Sequence, residues 1–125
     1  MNQDEFVHEL LESANKNGLI ATLYGVFGNN LKVSIPFRQK VCEMSIDDID
    51  FSPRANHALK RAGVFTVGEV IDLIAGDGLL RIRNLGKKTQ NEIKTRILAF
   101  GYDGLTENEK ERFLFDVVKK NTREG

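Results

Sequence analysis

Between Ser52 and Gly101 the signals that start and stop helices follow one another so closely that only a series of short helices fits. Ser52 is a cap and Pro53 takes the first helical position, where its fixed φ suits and its missing N–H costs nothing, which predicts a helix over 54–61. Ala62-Gly63 ends it, and Thr66 caps a second helix to Ile74 with Val67, Val70, Ile71 and Ile74 on the apolar side. After Gly76, Asp77 is expected to cap a short helix over 78–82. Asn84-Leu85-Gly86 reads as a tight turn, and a fourth helix is expected over 87–99, burying Ile93, Ile97 and Leu98 and ended by Gly101. Ahead of this series, Ser45-Ile46-Asp47-Asp48 has the shape of a capping box opening a short turn before Phe51. The unit helix–glycine–hydrophobe–helix occurs twice, around Gly63 and around Gly86.

The flanks are patterned differently. Phe6, Val7, Leu10 and Leu11 make one stripe of an amphipathic helix over 3–16, with Asn2 or Asp4 as its cap and Asn17-Gly18 as its end. Leu19–Phe27 is rich in β-branched and aromatic residues, Gly28-Asn29-Asn30 is a turn cluster, and Leu31, Val33 and Ile35 alternate with Lys32 and Ser34. That combination predicts a β-hairpin, which would need to pack on the first helix to be stable. Pro36 closes it, with a boundary at about 37–44. At the other end Thr106 and Glu109 form a capping box, and Phe113, Leu114, Val117 and Val118 are the stripe of a last helix running to about Lys120. The expected fold is mainly α, with an extension over 1–43, a helical domain over 44–101 and a helical extension over 102–125.

A chain of 125 residues, 41% hydrophobic and 29% charged, is large enough to bury about two-thirds of its unfolded surface and is far from disordered composition. No apolar run approaches the roughly 20 residues of a membrane span. The acidic start, MNQDEFVHEL, is unlike a secretory signal, so the expected compartment is the cytoplasm. A single cysteine, Cys42, and two histidines exclude an internal disulfide and a closed Cys/His zinc site. No nucleophile–base spacing is visible: Cys42 has no histidine motif nearby and reads as a small hydrophobe, and His8 lies on an acidic helix. The expectation is a protein without catalysis, cofactor or small-molecule substrate.

Eighteen basic and eighteen acidic residues give zero net charge, yet the charge is unevenly placed. From Arg54 to Arg96 there are nine basic residues and four acidic ones, leaving the remainder of the sequence negative. Such a patch suits short-footprint binding to a polyanion, and equally an ordinary solvated face. Within it, Arg83-Asn84-Leu85-Gly86-Lys87-Lys88-Thr89 places a glycine directly before a helix whose first N–H groups lack partners. Cations and a hydroxyl surround that spot. This is the chemistry of a helix-hairpin-helix phosphate clamp, and also the composition of a plain turn between packed helices.

Residues 44–101 resemble the C-terminal domain of the bacterial RNA polymerase α subunit. The resemblance is carried by Met44-Ser-Ile-Asp-Asp-Ile-Asp-Phe-Ser-Pro-Arg54, Leu59-Lys60-Arg61-Ala62-Gly63, Thr66-Val67-Gly68-Glu69 and Ile82-Arg83-Asn84-Leu85-Gly86-Lys87-Lys88-Thr89. It implies a compact bundle of about four short helices with tandem helix-hairpin-helix-like units, preceded by an irregular helical turn. It also implies binding to double-stranded DNA in the A·T-rich minor groove, with RNA polymerase, a sigma factor or transcription activators as further partners. Arg54 matches the arginine that enters the minor groove, where a narrow A·T groove concentrates negative potential. Asn84, Gly86, Lys88 and Thr89 match the other contacts, and Glu92 the family glutamate on the same face. The family asparagine three residues after the arginine is replaced by His57, while Asn56 points about 100° away around the helix. The first 43 residues are unlike the α subunit's large N-terminal assembly domain, so a free-standing relative is expected.

A reading of another class remains open: a protein-interaction module that docks a sigma factor, an activator or a mobile-element protein without touching DNA. Zero net charge and His57 favour it. Phe113, Leu114, Phe115 and Val117 would be either its surface or part of the protein's own core.

Overall fold

The computed structural model describes residues 2–28, 31–34 and 36–122. Among the described residues seven helices follow in order: α1 Gln3–Asn17, α2 Leu19–Phe27, α3 Gln39–Cys42, α4 Pro53–Arg61, α5 Val67–Ala75, α6 Lys87–Asp103 and α7 Glu107–Thr122. Tighter 3₁₀ turns at Ile46–Asp48 and Gly78–Arg81 join α3 to α4 and α5 to α6. The mainly α expectation holds, and α4 and α5 start where the Ser52 and Thr66 caps put them. Contacts divide the protein into two units, Phe37–Gly101 and Met1–Pro36 with Tyr102–Gly125.

In the Phe37–Gly101 unit, local capping sets the helix starts. The Ser52 hydroxyl accepts from the Ala55 N–H with Pro53 beside it, and the Thr66 hydroxyl accepts from the Glu69 N–H while the Glu69 carboxylate accepts from the Thr66 N–H. Gly63, at φ 82°, closes α4 in the left-handed conformation that a Cβ disfavours. Ile46, Ala55, Leu59, Val67, Val70, Leu79, Ile93 and Ile97 are almost wholly buried and make the core. Paired backbone bonds, Ile46 N–H to Phe65 C=O and Val67 N–H to Met44 C=O, fasten the first turn to the start of α5. Cys42 lies against Gly68, where an added Cβ would come within 3.1 Å of the cysteine Cβ and carbonyl oxygen. That close approach lets the short α3, inside the expected boundary segment, pack on α5.

Three local expectations need correction. Ser45 accepts from Asp47 N–H rather than forming a full box with Asp48. Asp77 does not cap the next turn; it adopts a left-handed conformation itself, at φ 57°. Gly101 does not end α6, which continues to Asp103 with Gly101 buried inside it.

The other unit is built from α1, α2 and α7. Val7, Leu10 and Ala14 of α1, Leu19 and Leu23 of α2, and Leu114, Val117 and Val118 of α7 are buried, and α1 packs on both of the others. The expected hairpin is absent: Leu19–Phe27 is helical, and Leu31–Ser34 forms no strand. Asn29, Asn30 and Ile35, which belonged to that expectation, lie outside the described residues. The β-branched content misled because it ignored spacing. Leu19, Thr22 and Leu23 are buried at i, i+3 and i+4, and packing on α1 overrides a weak strand preference. Ser13 and Thr22 share a hydroxyl bond of 2.8 Å across α1 and α2. Lys32 instead pairs both its backbone groups with the Asn121 side chain, at 2.8 and 2.7 Å. Asn2 is the α1 cap, and the Thr106–Glu109 box at α7 is complete. Leu114 and Val117 are buried and Phe113 and Phe115 half-buried, so that stripe belongs to the core of its own unit.

Candidate nucleic-acid interface

Every expected DNA-contacting residue falls in the Phe37–Gly101 unit, on α4, the turn that precedes α6, or the first turns of α6. Arg54 and His57 stand one turn apart on α4, and with Lys60 and Arg61 they line an open groove of about 430 Å³. A second hollow, of about 250 Å³, lies between α4 and the turn; Ala58, Arg61, Ala62, Ile82, Arg83 and Asn84 line it. Arg61 borders both. Arg61 thus joins the groove of Arg54 and His57 to the hollow of Arg83 and Asn84, while Gly86, Lys88, Thr89 and Glu92 line neither.

The turn is built by Asn84, not by Gly86. Asn84 takes the left-handed conformation at φ 63°, which asparagine tolerates better than most residues. Gly86 is exposed, its φ is not positive, and a Cβ there would meet nothing within 4 Å. Its lack of a side chain leaves open space before α6. The Gln90 amide donates to the Leu85 carbonyl at 2.9 Å and braces the turn from inside. Lys88 and Thr89 stand on the first turn of α6, Lys88 exposed and Thr89 half-buried. The first-turn amides of α6, which no group of the helix itself can satisfy, open at the same place.

Glu92 behaves differently from the rest. Its carboxylate is half-buried and accepts from the Ser52 N–H at 2.6 Å and the Ser52 hydroxyl at 2.8 Å. Ser52 is itself the cap of α4, so this pair ties the start of the helix carrying Arg54 to α6. Asn56 is turned away from the groove: its amide donates to Asp47 at 3.1 Å, and Lys60 binds the same carboxylate at 2.8 and 3.0 Å. The Lys60 and Asn56 hydrogen bonds hold the Asp47 carboxyl below its ordinary range.

Two further cations, Arg61 and Arg83, line this region beyond the contact residues that the resemblance matched. A signal was present: Arg54, His57 and Arg61 recur at i, i+3 and i+7, one face of a helix. Among the described residues there is no cluster of metal-ligating side chains, and no helix is long and apolar enough to cross a membrane.

Comparison with known proteins bears on this surface. Residues 34–98, just over half the sequence, match the bacterial RNA polymerase family described by the C terminal domain of the alpha chain. Over 64 residues the protein is 42% identical to the DNA-directed RNA polymerase subunit alpha of Symbiobacterium thermophilum and to that of Carboxydothermus hydrogenoformans, which is 51% of this protein and 20% of each relative. The corresponding subunit of Clostridium botulinum is 40% identical over 72 residues, 58% of this protein and 22% of its own length. The match thus spans about a fifth of each of these subunits. No solved structure matches the sequence.

Proposed function

The protein belongs to the family of the C-terminal domain of the bacterial RNA polymerase alpha subunit, a non-catalytic transcription domain, and from that premise we propose that it is itself a non-catalytic DNA-binding module of the bacterial cytoplasm. In this reading Arg54 enters an A·T-rich minor groove, and His57, Asn84, Gly86, Lys88 and Thr89 contact the flanking backbone. RNA polymerase, a sigma factor or an activator is the protein partner. The domain organisation that goes with it is a binding domain over 44–101 flanked by extensions over 1–43 and 102–125. The observation that supports it best is that Arg61 borders both the groove lined by Arg54 and His57 and the hollow lined by Arg83 and Asn84.

The chemistry follows from charge and shape. A narrow A·T groove attracts a guanidinium, while backbone amides and lysines at a helix start bind phosphate without reading sequence. Titration of labelled A·T-rich and G·C-rich duplexes across a salt series tests it. Tighter A·T binding is expected, with log K falling by about 0.9 per phosphate contacted for each unit of log salt. Arg54→Ala is expected to cost about 1–3 kcal/mol of binding. Equal binding by wild type and Arg54→Ala would overturn the reading.

A second reading, docking of a transcription protein without DNA, is favoured by one observation: Leu80 is 70% exposed and Phe65 53% exposed in the same unit. Partners captured from a bacterial lysate after nuclease treatment, and lost on Leu80→Ser, would support it.

A further inference from the structure

The groove on α4 is lined by three permanent cations, Arg54, Lys60 and Arg61, and by one side chain whose charge is conditional, His57. The charged groups on the neighbouring elements have their own places. From the turn at Ile46–Asp48, Asp47 is occupied by Lys60 and Asn56. From α6, Glu92 is occupied by Ser52. From the turn before α6, Arg83 lines the adjoining hollow with Arg61. Among the described residues no carboxylate lines the groove, so an anion seated there meets only donors, with the imidazole among them.

We infer that His57 makes the binding of nucleic-acid phosphate at this groove dependent on protons. The inference rests on the DNA-binding reading above and assigns the regulation of that surface. Imidazole is the side chain whose ordinary titration falls between pH 5 and 8. Neutral, it offers one N–H to a phosphate oxygen; protonated, it adds a fourth cation and a charge-assisted bond, and a phosphate a few Å away favours that form. Affinity for duplex DNA therefore rises as pH falls, each binding event taking up as much as one proton.

The test is anisotropy titration of the full-length protein with one A·T-rich duplex at pH 7.5, 6.5 and 5.5, each at several salt concentrations. Wild type is expected to tighten by about tenfold from pH 7.5 to 5.5, the equivalent of one charge-assisted contact. Its log K against log salt slope is expected to steepen by about 0.9, the signature of one more phosphate neutralised. His57→Asn should show neither change. His8→Asn, altering the other histidine, should show both. If His57→Asn follows wild type with pH, or if wild type binds with no pH dependence, the inference fails while the DNA-binding reading stands. If wild type binds no DNA at any of the three pH values, both fail.

Discussion

Replacing Glu92 separates two roles that its position allows: contact with DNA, and bracing of α4. The carboxylate receives two hydrogen bonds from Ser52, at 2.6 and 2.8 Å, in a half-buried setting. Glu92→Ala leaves the Ser52 N–H without its acceptor and leaves the capping hydroxyl to serve Ala55 alone. Hydrogen bonds to a charged group are worth about 1.5–3 kcal/mol each, and partial exposure argues for the lower end, so a loss of about 3 kcal/mol is expected. Glu92→Gln keeps an acceptor of neutral strength and should lose about half as much. Urea unfolding followed by far-ultraviolet circular dichroism measures both. A double-mutant cycle with Ser52→Ala should then give a coupling of at least about 1 kcal/mol, because each partner's loss already contains the other's. DNA affinity of Glu92→Gln should fall less than its stability does. A stability loss under about 0.5 kcal/mol with no coupling, beside a large loss of affinity, would refute the brace.

Three further outcomes are expected. The Phe65 and Thr66 backbone N–H groups hold the Glu69 carboxyl below its ordinary 4.5, so this group stabilises the fold above that pH and the contribution is lost as pH falls through the lower folded value; Glu69→Gln should flatten the acid limb of an unfolding profile. Tyr102 is buried, its hydroxyl finds no hydrogen-bond partner among the described residues, and burial, then Glu107 and Asp103, push its pKa up to about 12. Stability from the neutral phenol is complete below pH 10 and lost towards pH 12, so Tyr102→Phe should remove that alkaline loss and match or exceed wild type by about 1 kcal/mol at pH 7, as read by urea unfolding. Asn84→Gly, which relieves a positive φ, should leave stability equal or higher by about 0.5–1 kcal/mol in the same assay while weakening duplex binding in titration.

Legibility in the sequence followed the range of the interaction. Ser52, Thr66 and Thr106 announce α4, α5 and α7 because a cap acts over three residues, and the bonds stand where that chemistry puts them. Leu19–Phe27 was misread because its decisive partner is α1, which local preference does not register. Asp77 has the right side group for a cap but sits in a left-handed turn that its own identity does not require. At the candidate interface, Arg54, His57 and Asn84 are named by the resemblance alone. The bond from Glu92 to a serine forty residues earlier left no trace in spacing, and neither did the meeting of Arg61 and Arg83 in one hollow.

The helices of the α1–α2–α7 unit come from both sides of the Phe37–Gly101 segment, which makes that segment a guest inserted into a host. A ribosome delivers α1 and α2 early, when α7, the other helix that packs on α1, has not been synthesised. The guest has all its parts first and can fold while the host is still waiting. The host closes only once Leu114, Val117 and Val118 emerge, so a nascent polypeptide stalled before α7 would expose an oily stripe to chaperones while already carrying a finished guest.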